Sequence, residues 1–214
     1  LHPHQEGIAQ EVQTLGPMVR FTDVTQEAGI GFRHTNGSFG RGYMPETMGS
    51  GCGFLDYDGD GYPDILLVNN MAWPERKDGR QATMALYRNR GNGKFVDVTR
   101  QAGLQVAMYG MGCAAGDFDN DGDEDLYLAC LGPNHLFRNG GDGTFTDVTG
   151  EMGVGDAAWS VCAVWLDYDL DGDLDLFVGN YLRWTAERDN WLDRETGPRA
   201  YAPQLYEAEH PRLY

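Results

Sequence analysis

The sequence predicts an all-β fold made of repeated four-stranded antiparallel units, on three observations. Three sequence elements recur in a fixed order along the chain. Apolar residues come in runs of about four bounded by turn signals, which suits strands buried on both faces. Glycine supplies 30 of the 214 residues, about twice the average usage of ~7%. With abundant aspartate, that excess disfavours long helices and favours tight turns.

The first element reads Asp-x-Asp-x-Asp-Gly-x-x-Asp and occurs three times: Asp56 to Asp64, Asp117 to Asp125 and Asp167 to Asp175. The second reads Leu-aromatic-Arg-Asn, at Leu86 to Asn89 and Leu136 to Asn139. The third reads Phe-x-Asp-Val-Thr, beginning at Phe21, Phe95 and Phe145, and each copy is followed by glycine and an aliphatic residue. The second and third loops are 50 residues apart, whereas the first interval is 61 because of an insertion around Met71 to Met84.

Each repeat can be read strand by strand. A small, apolar segment precedes each loop (Gly49 to Leu55, Met108 to Gly116, Ala158 to Leu166). A continuous apolar run follows it (Ile65 to Val68, Leu126 to Ala129, Leu176 to Val178). The Leu-aromatic-Arg-Asn strand comes next, then a turn such as Gly91-Asn92-Gly93 or Gly141-Asp142-Gly143, where positive φ is accessible. The Phe-x-Asp-Val-Thr segment alternates as a fourth strand. Its threonine is placed to cap one helical turn that the following glycine ends. Four short strands in about 50 residues are the composition of a β-propeller blade. The expected boundaries are an N-terminal extension at 1–20, an N-terminal closing strand at 21–30, and blades at about 48–104, 108–154 and 157–214, the last incomplete. Three blades cannot close a ring of four to eight, so further blades C-terminal to Tyr214 are expected.

The loops carry the chemistry. A hard dication takes six to eight oxygens at about 2.3–2.6 Å. Alternate residues of a tightly wound loop can point inward together, which explains aspartate at positions 1, 3 and 5, and glycine at position 6 permits the sharp turn. The candidate calcium ligands are Asp56, Asp58, Asp60 and Asp64; Asp117, Asp119, Asp121 and Asp125; and Asp167, Asp169, Asp171 and Asp175. The carbonyls of Tyr62, Asp123 and Asp173 at position 7 complete each set. An EF-hand would instead need Glu at position 12 between two helices; here that position is Leu67, Leu128 or Val178 on an apolar strand. Fifteen of the 33 Asp and Glu residues fall within the 27 loop residues, a crowding that is costly without a cation. About three Ca²⁺ ions are expected. They would move the formal charge from −17 to −11.

These loops, with Leu-Tyr-Arg-Asn and Phe-x-Asp-Val-Thr between them, resemble FG-GAP/VCBS repeats, the repeats of integrin-α-type calcium-binding propellers. The arrangement over Phe21 to Tyr214 is similar to the cartilage acidic protein, or ASPIC/UnbV, family. The resemblance implies a seven-bladed propeller followed by a C-terminal domain, in a secreted, cell-surface or periplasmic protein that mediates interaction, adhesion or assembly rather than a defined reaction. It implies a protein or glycan partner whose identity the sequence does not carry.

The remaining features narrow the function. A net charge of −17 argues against nucleic acid and anionic membrane as partners, since both repel carboxylates. No apolar run approaches 18 residues, so no membrane span is expected. The chain begins with Leu, and Leu1 to Gln10 has neither a basic n-region nor an apolar h-region, so a processed or partial chain is expected. Of the five histidines, none stands at zinc-ligand spacing, and His34 alone is worth watching. No nucleophile elbow, phosphate loop or dinucleotide fingerprint is present. Trp159 and Trp165 read as blade packing. Trp184, Trp191, Tyr201 and Tyr206 read as cover for a blade edge or as a surface for a partner. Arg76, Lys77 and Arg80 read as a solvated loop tip. Cys113 and Cys130 flank the second loop almost symmetrically, close enough to a hairpin pairing to form a disulfide if the register allows it. The alternative to a binding module is a propeller-fold polysaccharide lyase or hydrolase with its active site in the central funnel.

Overall fold

A computed structural model describes residues 19–74, 82–189, 191–192 and 200–214. It is all-β, a partial β-propeller. The first sheet runs β1 (Cys52–Leu55), β2 (Asp64–Leu67), β3 (Ala85–Asn89) and β4 (Phe95–Asp97) in chain order. The second runs β5 (Gly110–Gly116), β6 (Asp125–Cys130), β7 (His135–Asn139) and β8 (Phe145–Asp147). The third has three strands. In it β9 (Ser160–Leu166) pairs with β10 (Asp175–Asn180), and β10 pairs with β13 (Arg212–Leu213). Between β10 and β13 the chain makes a separate two-stranded ribbon, β11 (Trp191–Leu192) with β12 (Ala200–Tyr201). Leu213 lies opposite Phe177 as Leu136 lies opposite Tyr127, so β13 occupies the place that β7 has in the second blade.

Among the described residues, two of the three buried clusters lie between blade faces. Leu55, Leu66 and Leu86 of the first blade meet Leu126, Leu128 and Phe137 of the second. Tyr127 and Leu136, on the opposite face of the second blade, meet Leu176 and Val178 of the third. Burial stabilises each aliphatic side chain by roughly 1.5–3 kcal/mol. A single blade has no core of its own. β6, in the blade that lies between the other two, is buried on both faces throughout and reads as a continuous apolar run.

The innermost strands come so close that glycine is needed between them. A β-carbon on Gly112 would lie 2.8 Å from the Val161 carbonyl oxygen, and one on Gly51 would lie 3.1 Å from the Gly112 Cα.

Two expectations are corrected below. Residues 21–24 pair with no strand among the described residues, and Phe21 is 94% exposed. The turn that follows is nevertheless seated: the Phe95 N–H donates to the Ala28 carbonyl, just as the Phe145 N–H donates to that of Ala102. Thr149 is not a helix cap. It is the first residue of the single-turn α1 (Thr149–Met152), whose N-cap is Val148, and its hydroxyl accepts the Leu136 N–H of β7 instead. Gly153 ends that turn at φ 70°, as expected. Cys113 faces Leu128 and Cys130 faces Gly110, and all four cysteines are free. The closing pair Gly116–Asp125 sets this register. It offsets the two thiols along the strands, beyond the ~5.5–6 Å Cα separation a disulfide prefers.

Gly112→Ala should therefore destabilise the protein by about 1–3 kcal/mol, through a wedge between the second and third blades. Gly150→Ala on α1, where a β-carbon meets nothing within 4 Å, should be neutral or stabilising by up to ~1 kcal/mol. Urea denaturation of both variants checks the contrast, and equal effects would contradict close contact between the inner strands.

Candidate metal centres

Each aspartate-rich loop joins the first two strands of a blade and is wound by its own carboxylates. Asp56 Oδ1 and Oδ2 accept the main-chain N–H groups of Asp60 and Gly61, at 3.0 and 2.8 Å. Asp117 does the same for Asp121 and Gly122, at 3.0 and 2.9 Å. Asp167 Oδ2 accepts the Gly172 N–H at 3.2 Å. The position-5 carboxylates Asp60, Asp121 and Asp171 each accept the N–H of position 7, all at 3.0 Å. Tight winding forces positive φ at positions 4 and 6. Position 6 is glycine in every loop (Gly61, Gly122, Gly172), while position 4 is Gly59, Asn120 or Leu170.

Position 9 is the deepest ligand candidate. Asp64 and Asp125 are fully buried. Asp64 Oδ2 accepts the Tyr57 N–H at 3.1 Å and Oδ1 the Asn89 N–H at 2.7 Å. Asp125 repeats this with Phe118 and Asn139, at 3.0 and 2.8 Å. Burial outweighs these donors and pushes both carboxyls up to about 6.

Positions 1, 3 and 9 converge. One oxygen from each of Asp56, Asp58 and Asp64 lies within 4.8 Å of the others, and the same holds for Asp117, Asp119 and Asp125 and for Asp167, Asp169 and Asp175. Two oxygens on opposite sides of a calcium ion are about 4.6–5.2 Å apart, so the spacing within each triad is compatible with one. Asp58 Oδ1 and Asp167 Oδ1 are buried with no hydrogen-bond partner, as an oxygen reserved for a cation would be. Of the fifteen residues expected from sequence, nine form the triads. Asp60, Asp121 and Asp171 each use one oxygen to close the loop, on the N–H groups of Tyr62, Asp123 and Asp173.

Several residues had no role in the sequence reading. Arg88 Nε lies 2.7 Å from Asp58 Oδ2, and its Nη2 donates to Asp60 Oδ2 at 3.1 Å. Arg138 Nε lies 3.0 Å from Asp119 Oδ2. Neighbouring loops also touch: Glu124 Oε2 accepts the Asp56 N–H at 2.7 Å, and Asn120 Nδ2 donates to Asp173 Oδ1 at 2.8 Å. The recurrence of Arg-Asn in the third strands was the available signal for the arginines. Contacts between loops 61 and 50 residues apart left none.

At the opposite end of the inner strands lies an aromatic cluster. Trp73 packs against Tyr109 and Trp184 with ring centroids 4.8 and 5.6 Å apart, and Trp159 against Tyr181 and Trp184 at 5.3 and 6.0 Å. A cavity of about 490 Å³ opens beside it, lined by Trp73, Tyr109, Trp159, Trp184, Arg183 and Glu209 among others. Trp165 stacks on Phe118 between the second and third blades, as blade packing requires. His34 Nε2 is 3.2 Å from Ser50 Oγ. Arg76, Lys77, Arg80 and the side chains of Trp191 and Tyr201 lie outside the described residues.

A sequence profile described as an FG-GAP-like repeat matches residues 56–128 and 117–178, together more than half of the chain. No curated protein sequence matches it.

Two outcomes are expected. Leu170 holds φ 65° while 85% exposed, a conformation that suits glycine or asparagine far better than leucine. Leu170→Asn should raise stability by about 0.5–1 kcal/mol, measured by chemical denaturation; a loss would show that the leucine side chain does something else there.

The second concerns pH. Asp64 and Asp125 bind a proton more tightly when folded (about 6) than at the ordinary value of 3.8. In cation-free protein their contribution to stability is thus largest below about pH 4 and is lost as pH rises through 6. A cation needs the ionised form, so cation affinity at the first two loops should fall as pH drops from about 7 to 5. Calorimetric titration at both values checks this, and equal affinities would remove Asp64 and Asp125 from the ligand set.

Proposed function

The chain belongs to the FG-GAP-like repeat family, and we propose that it is a calcium-dependent β-propeller interaction module. The observation that carries this reading is the threefold convergence of positions 1, 3 and 9 into carboxylate triads of calcium dimensions. Asp56, Asp58 and Asp64, with their equivalents in the other two loops, would hold the ions. The position-7 carbonyls of Tyr62, Asp123 and Asp173 and the carboxylates of Asp60, Asp121 and Asp171 would stand next to them. Bound calcium supplies charge neutralisation and cross-linking of the two strands that each loop joins.

The proposed setting is extracellular, cell-surface or periplasmic, where millimolar calcium fills even sites with Kd on the order of 10⁻⁴ M. The finer family proposal is the ASPIC/UnbV type, with these blades part of a seven-bladed ring. The proposed role is binding of a protein or glycan partner, not catalysis. No helix among the described residues is long and apolar enough to cross a membrane. The aromatic cavity is the proposed contact surface: indole and phenol rings combine apolar faces with polar tips, a pairing that suits recognition.

Calcium at about 1 mM should stabilise the protein by ~1.4 kcal/mol per site for Kd ~10⁻⁴ M. Calorimetry should count three ions, and EGTA should lower the melting temperature. Asp58→Ala, Asp119→Ala and Asp169→Ala should each remove one ion and leave the other two bound. A melting temperature indifferent to EGTA would overturn the calcium reading.

A further inference from the structure

We propose that Arg88 and Arg138, the arginines of the two Leu-aromatic-Arg-Asn strands, are positioning residues that hold the position-3 aspartates ready for the loop ions. The inference rests on the calcium reading above and adds to it residues outside the loops.

The three members of a triad are not held alike. In the first two loops, positions 1 and 9 each accept two main-chain N–H groups, one on each oxygen. Asp58 and Asp119 have no such pair of main-chain donors, and their side chains are 14% and 28% exposed. A carboxylate left free there would have to be ordered each time an ion bound. The guanidinium removes that freedom. Arg88 sits 2.7 Å from Asp58 Oδ2, leaving Oδ1, buried and otherwise unpartnered, as the oxygen that can meet a cation. Arg138 makes the corresponding ion pair with Asp119 Oδ2 at 3.0 Å.

The arginines are themselves anchored. Leu86 and Leu136, two residues earlier on the same strands, are buried at 0% and 1% exposure, so these strands cannot slide. The next residue along, Asn89 or Asn139, gives its N–H to the position-9 aspartate. One Arg-Asn dipeptide therefore grips two of the three triad carboxylates from outside the loop. Arg88 also donates to Asp60, while Arg138 lies over the Phe118 ring at 5.7 Å. Asp169 of the third loop has no arginine partner among the described residues and serves as the internal comparison.

A guanidinium near a dication also repels it, and that effect has the opposite sign. Arg88 and Arg138 have side-chain exposures of 44% and 35%, so water screens the repulsion. Orientation of a ligand by its outer partner is worth about 10–100-fold in metal affinity. Orientation should win.

The test is calcium titration of the whole chain by calorimetry, comparing wild type with R88M, R88K and R138M, alongside melting in EGTA. R88M should weaken one of the three sites about 10–100-fold and leave the other two unchanged, with R138M acting on a different site. R88K keeps the charge and part of the contact, and should recover part of the loss. Unchanged or tighter binding in R88M, with wild type still taking three ions, would overturn the positioning role alone. Wild type taking no calcium would overturn the calcium reading and this inference with it. Should R88M fail to melt cooperatively in EGTA, R88K decides: affinity equal to wild type would show that only the charge matters and would likewise overturn the proposal.

Discussion

Two buried carboxylates, Asp64 and Asp125, tie each complete blade together. Each receives one N–H from the start of its own loop and one from the asparagine of the third strand. Loop, second strand and third strand therefore meet on a single side chain with no exposure to solvent. A buried anion is expensive unless it is paired, and two neutral donors do not suffice here: both groups sit at about 6. The blade is thus built around a charge that a cation would complete. Positions 1 and 3 are arranged about that charge, and the Arg-Asn strand is arranged about them.

From this point the structure extends sideways. Blades of two to seven residues per strand cannot bury a core alone, so the aliphatic clusters lie between sheets. The loops follow the same logic, since Glu124 holds the first loop from the second and Asn120 reaches from the second to the third. Asn139 shows how closely the two levels are joined. Its main chain grips Asp125, while its side chain donates to the carbonyls of Tyr57 in the first blade and Glu124 in its own. The repeat is therefore a unit of sequence more than a unit of stability.

What could be read from sequence was whatever depends on local order. The strand run, the loop with its glycine at position 6, the Gly153 stop and the carboxylates of the triads all follow from spacing within one repeat. What escaped depends on register and distance. The offset of Cys113 from Cys130 turns on where Gly116 and Asp125 close the hairpin. Thr149 suited a helix cap by composition, yet its hydroxyl was taken by a strand 13 residues earlier. The division of labour among the aspartates was equally hidden, because the three inward positions and the loop-closing position 5 carry the same residue. Only the fold shows that Asp60 closes the loop while Asp64 anchors it.

The two ends of the inner strands have opposite chemistry, and that separation constrains how calcium can act. The loops gather carboxylates at one end, and the other gathers Trp73, Tyr109, Trp159 and Trp184 around a cavity. β5 and β9 are seven residues long, or about 23 Å at ~3.3 Å per residue. An ion in a loop cannot touch a ligand held among the aromatics, so it cannot bridge protein and partner there. Its influence must pass through the order of the blades. β5 and β9 begin beside the aromatic cluster, at Tyr109 and Trp159, and end at metal loops, while Gly112 of β5 packs against β9 with no room for a side chain. Any loosening at the loop end is then shared by neighbouring strands whose first residues form the cavity wall. Calcium dependence of binding at that wall would therefore report the rigidity of the propeller and not coordination of the partner.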